Sequence, residues 1–134
     1  MAFMKSVWFI CLLIHVCWTE SPPTTVEVTL NVFSGRPDPD VVLQPNDDNY
    51  DVIVLNAGQQ STDLPPVMGY KGFTIMEYHG LTLSRTSTVG RCTRPDFELL
   101  LLNSITGKVP KGDDQPISDS LLNYARSDIE NCAS

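Results

Sequence analysis

From Val26 to Val32 the chain alternates strictly between apolar and polar residues. Val26, Val28, Leu30 and Val32 are separated by Glu27, Thr29 and Asn31. A period of two places the apolar set on one face, which predicts a strand with one side on a core and the other in water. The segment after it, Ser34-Gly35-Arg36-Pro37-Asp38-Pro39-Asp40, is stiff. Gly35 supplies a positive φ for a turn, and each proline pushes the residue before it, Arg36 or Asp38, into extended backbone.

The remaining elements follow from pattern and punctuation. Val41 to Gln44 is a brief apolar bridge. Tyr50 to Asn56 admits two readings: a helix capped by Asn46 and closed by Gly58, or a buried strand on account of its β-branched run. The helix is the reading adopted here. Gly72 to Ser84 predicts a hairpin turning at His79-Gly80, with Met76 and Tyr78 on the face of Leu81 and Leu83. Thr86 to Thr93 is a polar loop or edge strand. Pro95-Asp96 opens a leucine-rich helix that Gly107 ends. Lys108 to Pro116 is a hydrophilic loop, and Ser118 caps a last helix with Leu121, Leu122, Ala125, Ile129 and Cys132 on one face. The expected fold is α+β: a small antiparallel sheet of three or four strands, two or three helices and one disulfide.

The N-terminus has the form of a secretion signal. Lys5 precedes Val7–Trp18, twelve residues that are apolar except for His15, whereas a membrane span needs roughly 20. Residues 1–19 are expected to be removed, with cleavage between 17 and 21, leaving 20–134 as a single secreted α+β domain. No later run is long enough to anchor the chain, so no membrane association is expected after cleavage. Cys11 and Cys17 leave with the signal, and Cys92 and Cys132 remain to pair in an oxidising compartment. Two alternatives are a free Cys92, activated by Arg91 and Arg94, and an intermolecular bridge through Cys132.

Charge narrows the partners. The chain carries −7, and loss of Lys5 moves this to −8. An acidic surface argues against nucleic acid and anionic membrane and is compatible with cations, basic proteins or a mineral surface. For Ca2+, which takes oxygen ligands, the candidates are Asp38, Asp40, Asp47, Asp48 and Asp51. Asp47-x-Asn49-x-Asp51 opens like an EF-hand loop, but Val52 and Gly58 stand where that loop needs its glycine and its glutamate. Asp113-Asp114 is a further acidic pair. Turn and cap chemistry accounts for such pairs equally well. Zinc finds too few ligands, and no other cofactor is implied.

For catalysis the signals are sparse. His79 is the one histidine beyond the signal, and neither a Gly-x-Ser-x-Gly elbow nor a phosphate-cradling glycine loop is present. Arg36, on its rigid loop, is suited to grip a carboxylate or phosphate, or to pair with Asp38 or Asp40 and fix the turn. Arg85, Arg91 and Arg94 form a basic patch that reads as a solvated loop face.

Two landmarks, Phe33-Ser34-Gly35-Arg36-Pro37-Asp38-Pro39 and Gly69-Tyr70-Lys71-Gly72-Phe73, resemble those of small uncharacterised proteins with a Phe-Ser-Gly-Arg-Pro-x-Pro turn followed by Gly-Tyr-x-Gly-Phe. By type the chain is also similar to secreted proteins of invertebrate skeletal or shell organic matrices, with a signal peptide and Asp exceeding Glu by eleven to five. Its longest Asp run is two, unlike the strongly acidic members. The secretion signal, the charge and the lack of a catalytic set, together with this likeness of type, lead to the expectation of a non-enzymatic secreted acidic protein of an extracellular matrix, calcified skeletal matrix included, binding Ca2+ weakly or meeting matrix components and basic proteins. A soluble ligand or inhibitor presenting Gly35–Asp40 is the alternative reading, and an enzyme the remote one.

Both tryptophans, Trp8 and Trp18, lie in the expected signal. The secreted protein should therefore emit as a tyrosine-only chain, and its intact mass should rise by two hydrogens on reduction. Tryptophan emission from the mature form would exclude cleavage beyond Trp18.

Overall fold

A computed structural model describes residues 22–32, 37–59 and 61–132. The expected signal peptide and Arg36 lie outside the described residues. Among the described residues, no helix is long and apolar enough to cross a membrane. Four strands, β1 (Thr25–Val32), β2 (Asp40–Leu43), β3 (Tyr70–His79) and β4 (Thr82–Gly90), form one antiparallel sheet in the order β2-β1-β3-β4. Three helices, α1 (Tyr50–Ala57), α2 (Pro95–Ile105) and α3 (Asp119–Asn131), complete an α+β fold.

The alternation in β1 sets the core. Val26, Val28 and Leu30 are fully buried with Phe73 and Ile75, their neighbours on β3. Against them pack Leu101, Leu102 and Ile105 of α2 and Leu122, Ala125 and Ile129 of α3. The polar face of β1 is less wet than its pattern predicts. Glu27 and Asn31 are both 8% exposed. The strand lies between two others, Asn31 bonds Thr74 Oγ1 at 2.9 Å, and Lys111 reaches Glu27 from a loop.

Two elements differ from the sequence reading. The apolar bridge at Val41–Gln44 is strand β2, which inserts Val41 and Leu43 into the core opposite Val28 and Val26. The β3–β4 turn sits one residue later than expected, on Gly80 and Leu81, with His79 facing Thr82. An irregularity between Glu77 and Tyr78 takes up the difference in register, so Tyr78 opposes Leu83 while Leu81 stands in solvent at the tip. A bulge of this kind cannot be read from alternation alone.

The segment Tyr50–Ala57 is helical despite its β-branched run. Tyr50, Ile53 and Ala57 fall on one buried face at i, i+3 and i+7, and Asp51 lies at the positive end of the helix dipole. Its N-cap is Asn49, in the left-handed region at φ 68°, rather than Asn46. At the other end Arg94 donates to Asn56 O at 3.1 Å, a cation on the carbonyl end. Helix α2 begins with Pro95 at its first turn, and α3 is capped by Ser118, whose Oγ accepts from Leu121 N at 3.3 Å.

Both sheet edges are covered in part by loops. Lys111 N donates to Asp40 O at 2.7 Å on the outer side of β2. Along β4, Thr62 N donates to Thr88 O at 2.8 Å and Gly90 N to Thr62 Oγ1 at 2.7 Å.

Gly72 is the tightest backbone position. Its φ is +126°, and a Cβ there would stand 2.0 Å from Val89 O. Gly72→Ala should therefore destabilise the domain by at least about 3 kcal/mol or prevent folding. Gly107→Ala, at φ +79° with nothing within 4 Å, should cost about 1 kcal/mol. Urea unfolding of both variants tests this ranking, and equal losses would contradict it.

Candidate functional site

Of the segment after β1, Asp38 and Pro39 are built into the sheet. Pro39 O accepts from Leu30 N at 3.0 Å, and the Asp38 carboxylate accepts from Val32 N at 3.0 Å, taking the place of a backbone acceptor. This holds Pro37–Asp40 beside the loop of residues 110–118, and between them lies a groove of about 600 Å3. Its walls carry Asp38 and Asp40 on one side and Asp113 and Asp114 on the other, with Lys111 among them. Two acidic pairs, far apart in sequence, thus line one concavity.

Asp40 differs from the other three. Burial, with Glu27 beside it, pushes its carboxyl up to about 6, against the opposing pull of Lys111. Its Oδ1 is buried without a hydrogen-bond partner. Lys111 Nζ lies 3.0 Å from Glu27 Oε1, and this bond raises the ammonium above its usual value.

The Asp47–Asp51 stretch lies elsewhere, at the start of α1. Asp47 accepts from Gln44 N at 2.7 Å and from Lys108 Nζ at 2.6 Å, and these bonds hold its carboxyl below the usual range. An ammonium thus sits where an EF-hand would hold its ion. Asp48 and Asp51 are exposed. Among the described residues, no group of three or more His, Cys, Asp or Glu side chains is placed to hold a metal ion. The structure brings Asp38 and Asp40 together, and separates them from Asp47, Asp48 and Asp51.

The arginine patch has structural partners. Arg85 is bonded twice to the buried Glu77 carboxylate, Arg91 lies 3.6 Å from Asp128, and Arg94 holds Asn56 while stacking 4.4 Å over Phe97. His79 lines a separate cleft with Glu77, Ser84 and Arg85. There Ser84 Oγ donates to Glu77 O at 2.9 Å and the Glu77 carboxylate grips Arg85.

Sequence reasoning missed Glu98. It is fully buried in the first turn of α2 and accepts three bonds: from Tyr70 Oη at 2.6 Å, Cys92 N at 3.0 Å and Arg94 N at 3.0 Å. Burial, and then the bond to Glu98, raises the Tyr70 phenol far above its ordinary range. Cys92, at φ 64°, is held in the left-handed region, and its disulfide to Cys132 spans 5.3 Å between Cα atoms. One carboxylate therefore fixes β3, the turn before α2 and the disulfide that fastens α3. The signal that could have found it is the glutamate just inside a proline-led helix start, a position that reaches back to free backbone N–H groups.

Glu98→Gln should cost about 3 kcal/mol, because an amide nitrogen would then face backbone donors inside the protein. Tyr70→Phe should cost about 1 kcal/mol, and the double variant less than the sum. Chemical denaturation of the oxidised protein checks both, and strict additivity would rule out the shared cluster. Comparison with family models, with curated proteins and with solved structures finds no match to this chain, so its function has to be read from the geometry above.

Proposed function

We propose that this chain is a non-enzymatic, secreted acidic protein of an extracellular matrix, a calcified skeletal matrix included, and that its groove receives basic side chains of partner proteins. The observation that supports this reading is the convergence of Asp38, Asp40, Asp113 and Asp114 on the walls of one groove. Proline at positions 37, 39, 110 and 116 stiffens both walls, so little ordering entropy is lost when a partner binds.

A guanidinium or ammonium group is favoured over Ca2+ as the occupant. Two carboxylate oxygens satisfy a guanidinium, whereas Ca2+ takes six to eight oxygen ligands. Weak Ca2+ association through pairs of carboxylates belongs to the same reading, as a competitor for the groove. The disulfide and the net charge of −7 suit an extracellular setting with basic neighbours.

The test is fluorescence anisotropy with a labelled Arg- and Lys-rich peptide, using the mature protein and an Asp113→Asn, Asp114→Asn variant. The wild type should bind with an affinity that falls as salt rises, and the variant about tenfold more weakly. Equal binding by both proteins, or none at low salt, would sink the groove reading. A variant at Arg36 that alone lost binding would favour a ligand or inhibitor acting through Gly35–Asp40. Immunolocalisation to mineralised or soft matrix, as against free fluid, tests the setting.

A further inference from the structure

Glu27 and Asp40 share a face of neighbouring strands. In the β1–β2 register Thr29 stands opposite Asp40 and Val42 opposite Glu27, so the two carboxyl groups are diagonal neighbours on the side of the sheet away from the helices. Lys111 is fastened to both residues. Its backbone N–H donates to Asp40 O at 2.7 Å and its ammonium to Glu27 Oε1 at 3.0 Å. The Glu27 side chain is only 11% exposed, while that of Lys111 is 60% exposed. Two acids thus meet one cation, and the buried Asp40 Oδ1 has no donor.

A proton on the pair removes this mismatch. A carboxylic acid O–H facing a carboxylate gives a donor to an acceptor, and leaves one negative charge opposite one ammonium. Without the proton, two like charges lie side by side at the first residue of a four-residue strand, with one ammonium to offset them. We propose that Glu27, Asp40 and Lys111 form a proton-operated latch: one proton on the carboxyl pair seats residues 108–118 against β2, and its loss loosens them. Because that loop is one wall of the groove, the latch regulates the groove, and this consequence rests on the reading given above.

The elevated Asp40 titration agrees with the geometry. Facing Asp40 are Glu27 and the Thr29 hydroxyl from β1 and Lys111 from the loop. Tyr78 of β3 acts on Lys111. Asp38 is engaged with Val32 N, and Asp113 and Asp114 add negative charge across the groove. The folded value near 6 lies above the ordinary 3.8, so between about pH 4 and 6 the native state holds more protons than the unfolded one. Stability from this group is therefore gained as pH falls through 6 and lost as pH rises. Below about 4 both states are protonated, and the contribution is fully present and no longer changes with pH.

The experiment follows the mature, oxidised protein from pH 4 to 8 by thermal unfolding and by hydrogen exchange at the Lys111 amide, corrected for intrinsic rate. Wild type should lose Tm and Lys111 protection as pH rises from about 4 through 6, and the loss should level off above about 7. Asp40→Asn, which keeps a donor toward Glu27, should show neither loss and should melt about 3–5 °C higher than wild type at pH 7.5. Parallel pH curves for the two proteins would overturn the latch. A carboxyl-carbon NMR titration of the wild type needs no variant: a midpoint for Asp40 near 6 supports the proposal, and one in the ordinary carboxylate range refutes it. None of these readouts uses a ligand, so failure of the latch and failure of the groove reading are told apart.

Discussion

Strand β1 has a partner on each side, and the rest of the domain is arranged to satisfy it. The ladders to β2 and β3 serve its backbone groups, and where β2 ends the Asp38 carboxylate and the Pro39 carbonyl continue the pairing. A buried backbone N–H without an acceptor costs free energy comparable to a lost hydrogen bond, so this extension is needed rather than ornamental. It also ties Asp38 and Pro39 to the sheet. Residues that close β1 cannot move without exposing it, and those same residues form one wall of the groove.

Much of this was legible from period and punctuation. The strand at Val26–Val32, the helix ended near Gly107 and the Ser118-capped helix carry strong local signals, and the structure has all three. The strand β2 did not, because four residues give too few alternations to separate a strand from a linker. The hairpin register failed for a different reason: the irregularity at Glu77/Tyr78 adds a residue that no pattern announces. For the site, Asp38, Asp40, Asp113 and Asp114 were each visible as turn-type acids. That they line one groove is a product of tertiary structure, as is the burial of Asp40 Oδ1. Arg36 lies outside the described residues.

The Gly-Tyr-x-Gly-Phe landmark has a packing explanation at every fixed position. Gly69 adopts φ +87° with the Tyr124 hydroxyl where a Cβ would stand, and Gly72 lets β3 close on Val89 O. Tyr70 and Phe73 meet edge to face at 5.9 Å in the core, and Tyr70 donates to the buried Glu98. The Asp38-Pro39 part of the other landmark completes β1. These residues specify a fold, and of the acids that line the groove only Asp38 belongs to either landmark.

The covering of the sheet edges bears on how such a domain can associate through its backbone. Lys111 occupies the outer side of β2, Ser61 and Thr62 occupy β4 over Thr88–Gly90, and the remainder of β4 carries Arg85 and the irregularity opposite it. Each of these features discourages addition of a further strand. Addition of a strand at either edge therefore requires these loop contacts to be displaced first.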